Sequence, residues 1–358
     1  MEANRPDRDD PLQVTADRRQ EPPTRLLPTW LKLTGQGLWC EPGGFFVDPG
    51  RAVARAVITH GHADHARAGH DHVLATPETV AIMQARYGDR AGRTLEALPC
   101  DQIRRIDGVS VRFVPAGHIL GSAQVVLEHA GTRVVVSGDF KRRADPTCDP
   151  FEPVPCDLFI TEATFGLPVF RHPPDAVAVD RLLTSLNTFP DRAHLVGAYA
   201  LGKAQRLIAL LRQAGCDRTI WLHGALVRLC DLYRDRGVPL GDLALCSGGR
   251  RKDMAGEIVL CPPSALADRW SRGFPDPVIA MASGWMQVRQ RARQRGVELP
   301  LVISDHADWD QLTETIRDVG APRVLVTHGQ EDALVHWARG IGVEADALSL
   351  TGYADEGE

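Results

Sequence analysis

The sequence predicts an α/β protein in which a β-rich unit is interrupted by a segment of alternating strands and helices. Three observations carry this expectation. Short β-rich runs crowd the stretch from residue 44 to residue 161. Helix-period and strand-period runs then alternate from residue 177 to residue 282, and after residue 300 the earlier style returns. Such alternation is the mark of βαβ units and a parallel sheet.

The elements follow in order. Gly44–Val47, Ala56–Thr59, Val109–Val114, Gln124–Glu128, Arg133–Ser137 and Leu158–Thr161 read as strands, each bounded by Gly, Pro or Asp. Pro77–Tyr87 reads as a helix with Thr76 as its N-cap. In the middle segment, Val177–Thr188, Gly202–Ala214 and Ala225–Arg236 have helical period. His194–Tyr199, Thr219–Leu222, Glu257–Cys261 and Val278–Ala282 read as strands. The last segment offers strands at Leu301–Ser304, Arg323–Thr327 and Ala345–Leu350, with helices at Trp309–Val319 and Leu334–Ile341. No repeat of solenoid period is present.

A length of 358 residues suits two lobes, or one domain with a large insertion. Residues 1–25 are polar and rich in charge and Pro, which predicts a disordered arm and resembles no signal peptide. No apolar stretch approaches the roughly 20 residues that span a bilayer, so a soluble, cytoplasmic protein with no membrane partner is expected. None of the eight cysteines forms a CxxC, which predicts reduced, mostly buried thiols in place of a zinc knuckle or a disulfide framework. A net charge of −5 argues against a protein that coats nucleic acid by bulk attraction, but not against an enzyme with local positive charge.

The strongest motif is Thr59-His60-Gly61-His62-Ala63-Asp64-His65, directly after an apolar strand. Imidazole and carboxylate are the ligand types that suit zinc, manganese or iron. Four such groups in six residues supply much of a two-metal site, whereas His70 and His72 read as bystanders. More ligands must come from other strand ends. Pro115-Ala116-Gly117-His118, Ser137-Gly138-Asp139 and Val326-Thr327-His328-Gly329 each deliver a His or Asp from an apolar run into a Gly-containing loop. Any one of these alone fits a structural role; three beside the first cluster point to ligation.

This series resembles the ligand order of the metallo-β-lactamase superfamily. The resemblance implies an αββα sandwich. It implies that His60, His62 and His118 hold a first divalent metal, that Asp64, His65 and His328 hold a second, and that Asp139 bridges both. Thr161-Glu162-Ala163-Thr164-Phe165-Gly166, Ser304-Asp305-His306-Ala307-Asp308 and His328 resemble the three motifs of the β-CASP nuclease branch. Ala198-Tyr199-Ala200-Leu201-Gly202-Lys203-Ala204-Gln205 is similar to that branch's strand-to-helix turn. The match runs from about residue 28 to residue 352. It implies a metallo-β-lactamase domain over 26–167 and 301–358, with a β-CASP α/β cap inserted at 168–300. Gly35–Cys40, Ala282–Met286 and Ser304–Trp309 resemble, more narrowly, the bacterial DNA ligase-associated exonucleases. That implies a DNA exonuclease in repair, acting on single strands or ends, with a functional link to a DNA ligase or helicase.

Two divalent ions, zinc or manganese, can share a water, lower its pKa and clamp the oxygens of an in-line displacement. Asp64, His306 and Glu162 are the residues assigned to catalysis. His306 is the candidate acid for the leaving oxygen, or a donor to the phosphate, and Glu162 the group that orients it. The alternatives are a structural histidine and a strand-end surface acid. Asp305 and Asp308 read as N-caps of the following helix. Gly202 and Lys203 open a helix where backbone N–H groups and a cation suit a phosphate, though a helix start with a Gly is equally ordinary structure, and Lys141 stands close after Asp139; these three are the substrate-binding candidates. Arg250-Arg251-Lys252 and the arginines of 289–295 read as solvated faces. Aromatic content of 6% excludes a long base-stacking platform, leaving Phe165 and Trp285 as either terminal-base contacts or core.

Other functions stay open at this point. An RNA-processing nuclease of the same branch is favoured by His328, where eukaryotic DNA-cutting members often carry Val. The chain as read does not reach the extra C-terminal RNA-binding domain of the ribonuclease J group, which favours DNA. A non-catalytic scaffold predicts missing ligands, and all seven positions are filled. A small-molecule hydrolase explains neither the insertion nor the last two histidine motifs.

Overall fold

The computed structural model describes residues 23–348. The arm expected over 1–25 lies outside them up to residue 22, as do the last two residues of the strand expected to end at Leu350. A first sheet takes its six strands in chain order: β1 (Leu31–Thr34), β2 (Gly37–Cys40), β3 (Phe45–Val47), β4 (Arg55–Val57), β5 (His70–Ala75) and β6 (Gly92–Ala97). Helix α1 (Pro77–Tyr87) joins the last two. It starts where expected: Thr76 Oγ1 accepts from Thr79 N–H at 3.2 Å, and Pro77 opens the first turn, where its missing N–H costs nothing.

The second sheet begins with β7 (Ile103–Ile106), β8 (Val109–Pro115), β9 (Ala123–His129) and β10 (Thr132–Val136), all antiparallel neighbours, and continues into β11 (Leu158–Ala163), parallel to β10. The chain then leaves for the inserted unit. There α2 (Asp175–Thr188), β12 (His194–Gly197), α3 (Lys203–Gln213), β13 (Ile220–Leu222), α4 (Gly224–Asp235), β14 (Leu243–Leu245), β15 (Ile258–Cys261), β16 (Val278–Ala282), α5 (Arg289–Gln294) and β17 (Leu299–Leu301) build a six-stranded parallel sheet of order β14-β13-β15-β12-β16-β17. The chain returns through α6 (Trp309–Val319), β18 (Arg323–Gly329), α7 (Glu331–Gly340) and β19 (Glu344–Ala347); β18 joins the second sheet beside β11, and β19 closes its edge beside β18.

Burial fixes the layers. Leu38, Phe45, Val57 and Leu74 of the first sheet face Val111, Phe113, Val125 and Ile160 of the second in one apolar core. Helix α1 covers the outer face of the first sheet through Val80 and Met83, and α6 and α7 cover that of the second through Leu312, Ile316, Leu334 and Val335. The result is an αββα sandwich with an inserted α/β cap, the fold class expected. In the cap, β12 and β15 are buried along their whole length, as strands covered on both faces must be. Helices α2, α3 and α4 pack on one face; 3-10 turns cover the other.

One expected strand is displaced. Leu301–Ser304 reads as a strand of the returning unit, but the strand is Leu299–Leu301 and pairs with β16 in the cap sheet. Residues 302–308 are outside any strand and carry the Ser-Asp-His-Ala-Asp motif from the cap to α6. Asp308 caps α6, accepting from Gln311 N–H at 3.1 Å, whereas Asp305 makes no cap and turns to Lys203. The eight cysteines are free thiols, five of them buried. Among the described residues no helix is long and apolar enough to cross a membrane.

Candidate metal centre

The sandwich brings the ends of β4, β8, β10 and β18 to one edge, because parallel neighbours deliver their C-terminal loops to the same side. Donor atoms of His60, His62, His118 and Asp139 there lie within 4.8 Å of one another, all four residues buried. Asp139 Oδ2 stands at the centre: 3.3 Å from His60 Nε2, 3.6 Å from His65 Nε2 and 3.7 Å from His118 Nε2. Asp64 Oδ2 is 3.7 Å from His65 Nε2, and the His328 ring centroid is 5.2 Å from that of His65. His328 has φ +57°, a backbone region unusual for a non-glycine residue and often found at functional sites.

The outer nitrogens of these rings are held, and that sets which lone pairs point inward. His118 Nδ1 donates to the Asp305 carbonyl at 2.9 Å. His62 Nε2 donates to the Leu201 carbonyl at 3.3 Å, and His65 Nδ1 to Asp48 Oδ2 at 2.8 Å. The Thr59 hydroxyl donates to Asp48 Oδ2 and accepts from His60 Nδ1 at 3.0 Å. With those protons placed, His60 Nε2 and His118 Nε2 present lone pairs to the Asp139 carboxylate. His62 Nδ1 presents its lone pair to His118 Nε2 at 3.0 Å. His60 Nε2 is buried without a hydrogen-bond partner. Converging lone pairs and a carboxylate repel one another until a cation sits among them, so the donor set fits a metal.

Electrostatics agree. Burial pushes His60 well below the usual imidazole range, and His65, His118 and His62 add to it; burial does the same to His328. Burial also pushes Asp139 up, to about 8. Burial alone would lower His65, but Asp139 and the hydrogen bond to Asp48 outweigh it and raise it to about 10. Without metal, the His65–Asp139 pair holds a proton that ligation must release.

Beside this cluster, Glu162 is buried on β11, 3.0 Å from His306 Nδ1 through Oε2, and its Oε1 accepts from Phe140 N–H at 2.7 Å. His306 Nδ1 is 4.0 Å from Asp139 Oδ2. The expected partnership of Glu162 and His306 is therefore a contact, and Glu162 is no surface acid.

No family model matches the chain. It is 30% identical over 326 residues to a protein of Opitutus terrae named a probable DNA ligase, covering 89% of this chain but 31% of that one. It is 25% identical to a Thermus thermophilus ribonuclease across 89% of that protein. A Dictyostelium discoideum cleavage and polyadenylation specificity factor subunit 3 is 33% identical over 34% of this chain and 16% of its own length. The chain thus spans about a third of the first of these relatives and most of the second. Among solved structures, a protein of unknown function from Enterococcus faecalis shares the fold with a TM-score of 0.55 at 13% identity, over 84% of this chain and 80% of its own. The chain belongs to the β-CASP branch of the metallo-β-lactamase superfamily.

In this β-CASP chain the three expected substrate contacts all have partners within the protein. Lys203 is buried and its Nζ is 2.9 Å from Asp305 Oδ2. Lys141 is buried, donating to the Ser304 carbonyl at 2.5 Å. Gly202 has φ +86°, its N–H is taken by Gln205 Oε1 at 2.8 Å, and a Cβ there would strike Ile119. All three lie where cap meets sandwich, and a helix start with a lysine does not reveal this internal pairing. Phe165 is buried, while Trp285 is half-buried against it at 4.7 Å. His70 and His72 stand apart from the cluster, His70 accepting from Val53 N–H and His72 facing Glu96.

Asp48 was not among the residues singled out. It accepts from Thr59 twice and from His65, at φ +42°. Its signal was present: Val47-Asp48-Pro49-Gly50 is another apolar run ending in an acid and a glycine.

Proposed function

We propose that this chain hydrolyses phosphodiester bonds in nucleic acid, acting as a DNA exonuclease on single strands or ends. The observation that carries the reading is the Glu162–His306 pair set against the converging donors around Asp139. His60, His62 and His118 would hold one ion, Asp64, His65 and His328 a second, with Asp139 shared. Two divalent ions, zinc or manganese, would supply Lewis-acid stabilisation of phosphoryl charge and a water of lowered pKa.

The chain's own residues do the rest. Glu162 fixes the His306 Nδ1 proton and stabilises the imidazolium, which makes Nε2 the proton donor to the leaving oxygen. Phe140 N–H holds Glu162 in place. Asp48, through Thr59 and His65, fixes the Nδ1 protons of His60 and His65, so that their Nε2 atoms face the centre. Water adds its oxygen to phosphorus and gives up one proton to solvent, the P–O bond to the leaving sugar oxygen breaks, and His306 donates its proton to that oxygen and is reprotonated from solvent.

DNA is favoured by the resemblance to the Opitutus terrae probable DNA ligase over nearly the whole chain, which also supports action alongside a DNA ligase or helicase. A second reading, an RNA-processing nuclease, is favoured by the Thermus thermophilus ribonuclease and by His328. Matched end-labelled single-stranded DNA and RNA, each with EDTA, zinc or manganese, separate them. Metal-dependent release of mononucleotides from DNA supports the first reading, and the labelled end gives polarity. Preferential RNA cleavage replaces it with the second. Cleavage of neither, in any metal, overturns both and leaves a scaffold or a small-molecule hydrolase.

A further inference from the structure

The face of the cap sheet opposite its helices carries a feature the metal centre does not use. The 3-10 turns Gly248–Asp253 and Ser271–Gly273 lie together there, tied by Arg251 Nη1 donating to the Trp270 carbonyl at 3.0 Å. Between them is an open groove of about 850 Å³ lined by Arg251, Arg269, Trp270, Arg272 and Gly273. Arg269 and Arg272 are exposed and Trp270 half-buried. Beside it, the Arg250 guanidinium lies 5.5 Å from the Trp221 ring centroid, and His223 packs edge-on against Trp270 at 4.8 Å. In a chain of net charge −5, this concentration of guanidinium groups around indole rings is a local feature, not a reflection of overall composition.

Side-chain packing runs from this groove toward the candidate active site. Leu266 packs both against the cluster containing Trp270 and against the cluster containing Met286. Next to Met286, Trp285 carries the Arg291 guanidinium 4.0 Å from its ring and touches Phe165, whose ring is 6.3 Å from that of His306. From β13, which bears Trp221, to β16 is three strand spacings, about 14 Å. That is a span of a few nucleotides.

Arginine forks match phosphate oxygens, and an indole between cations offers a stacking face to any base. Stacking needs unpaired bases, so the chemistry selects a single strand. We infer that this groove is a second binding site for a single-stranded polynucleotide, gripping its backbone several nucleotides from the bond being cut. The inference rests on the nuclease reading for its biological sense, but its test is binding.

The experiment uses the full metal-loaded chain carrying His306→Ala to suppress cleavage, and fluorescein-labelled single strands of about four and about twenty nucleotides, as DNA and as RNA. Anisotropy is followed across a salt series, with and without Arg269→Glu and Arg272→Glu together. The affinity gained on lengthening the strand is expected to fall at least tenfold in the double variant. Its salt dependence should flatten by about 1.4 in log–log slope, two phosphate contacts' worth for a single strand. Loss for both polymers assigns the site to the shared backbone; loss for one assigns it to that polymer. An unchanged length effect and salt slope overturn the groove, as does an equal loss when the longer DNA is annealed to its complement and used as a duplex probe. Because both arginines are exposed, an unfolding midpoint matching the parent's separates a binding defect from misfolding. A parent that shows the groove-dependent gain, in a chain whose wild type cleaves neither polymer, keeps the groove and overturns the nuclease reading.

Discussion

Lys203, in the first turn of the cap helix α3, places its ammonium 2.9 Å from the carboxylate of Asp305, on the segment that returns from the cap to the sandwich. Both side chains are almost wholly buried, at 4% and 2% exposed. Arg206, one turn further along α3, is also buried and pairs with Asp145 at 3.0 Å and with Asp175. The cap is thus joined to the sandwich by buried charges within one residue of His306, and the Asp305 carbonyl holds His118.

Removing one partner of such a pair leaves the other charge buried without its counter-ion. Asp305→Ala is expected to cost about 3–5 kcal/mol in chemical denaturation. Lys203→Met combined with Asp305→Leu is expected to recover much of that, since replacing both charges removes the desolvation penalty together with the attraction. A double variant no more stable than Asp305→Ala would mean that shape, not charge, decides the seam.

The Glu162–His306 contact makes a different prediction. If Glu162 holds the Nδ1 proton and raises the basicity of the ring, Glu162→Gln should lower turnover about 10²–10⁴-fold while metal content stays that of the wild type. The limb of the rate profile that falls with rising pH should also move to lower pH, because the imidazolium has lost its carboxylate. Rescue is expected from Glu162→Asp only in part, since the shorter side chain cannot reach both Phe140 N–H and His306. Metal lost from Glu162→Gln or His306→Ala would instead make the pair part of the ligand set.

Much of this architecture was legible because each ligand ends an apolar run. Val109–Pro115 reads as a strand by its alternation, so His118 leaves its end; Thr132–Val136 and Arg323–Gly329 read as strands by short continuous apolar runs, which place Asp139 and His328 at their ends. Leu31–Thr34 alternates but went unread because it is only four residues long, whereas three other unread strands lack a clear pattern. Gly92–Ala97 and Ile103–Ile106 lie at sheet edges with Arg93, Arg104 and Arg105 exposed, and edge strands carry charge to block further pairing. His70–Ala75 hid its apolar half behind His and Asp. The pairing of Lys203 was hidden for a related reason: a glycine and a lysine at a helix start look alike in sequence whether they face a phosphate or a buried Asp305. Only the packing of the cap on the sandwich distinguishes the two, and that is set by residues a hundred positions apart.

Asp48 offers a test of how far the outer hydrogen bonds govern the centre. Asp48→Asn can still accept from Thr59, but it no longer places a full negative charge on His65 and weakens the relay to His60. A 10–100-fold loss of metal affinity is expected, read by competition against a chromophoric chelator. The effect should be smaller at lower pH, because Asp48 also strengthens the hold of His65 on the competing proton, so the wild type loses more affinity than the variant as pH falls. Affinity equal to wild type across the range would reduce Asp48 to a support for the Thr59 loop.

His172 should make the fold sensitive to acid. Its ring is buried against Phe165 at 4.5 Å, and burial pushes its pKa down to about 4, with the nearby Asp308 only partly offsetting this. Above the ordinary imidazole value neither the folded nor the unfolded chain binds the proton, and stability does not depend on this group. Between about 6.5 and 4 the unfolded chain takes up the proton and the folded chain does not, so stability falls as pH falls. The loss attributable to His172 reaches at most about 3 kcal/mol by pH 4. His172→Phe keeps the ring contact and removes the titration. Denaturation midpoints of the two proteins should therefore run parallel above pH 7 and diverge below it, with the wild type falling faster. Parallel curves down to pH 4 would mean that the folded chain opens to protonate His172 at no cost, and would place the acid sensitivity elsewhere.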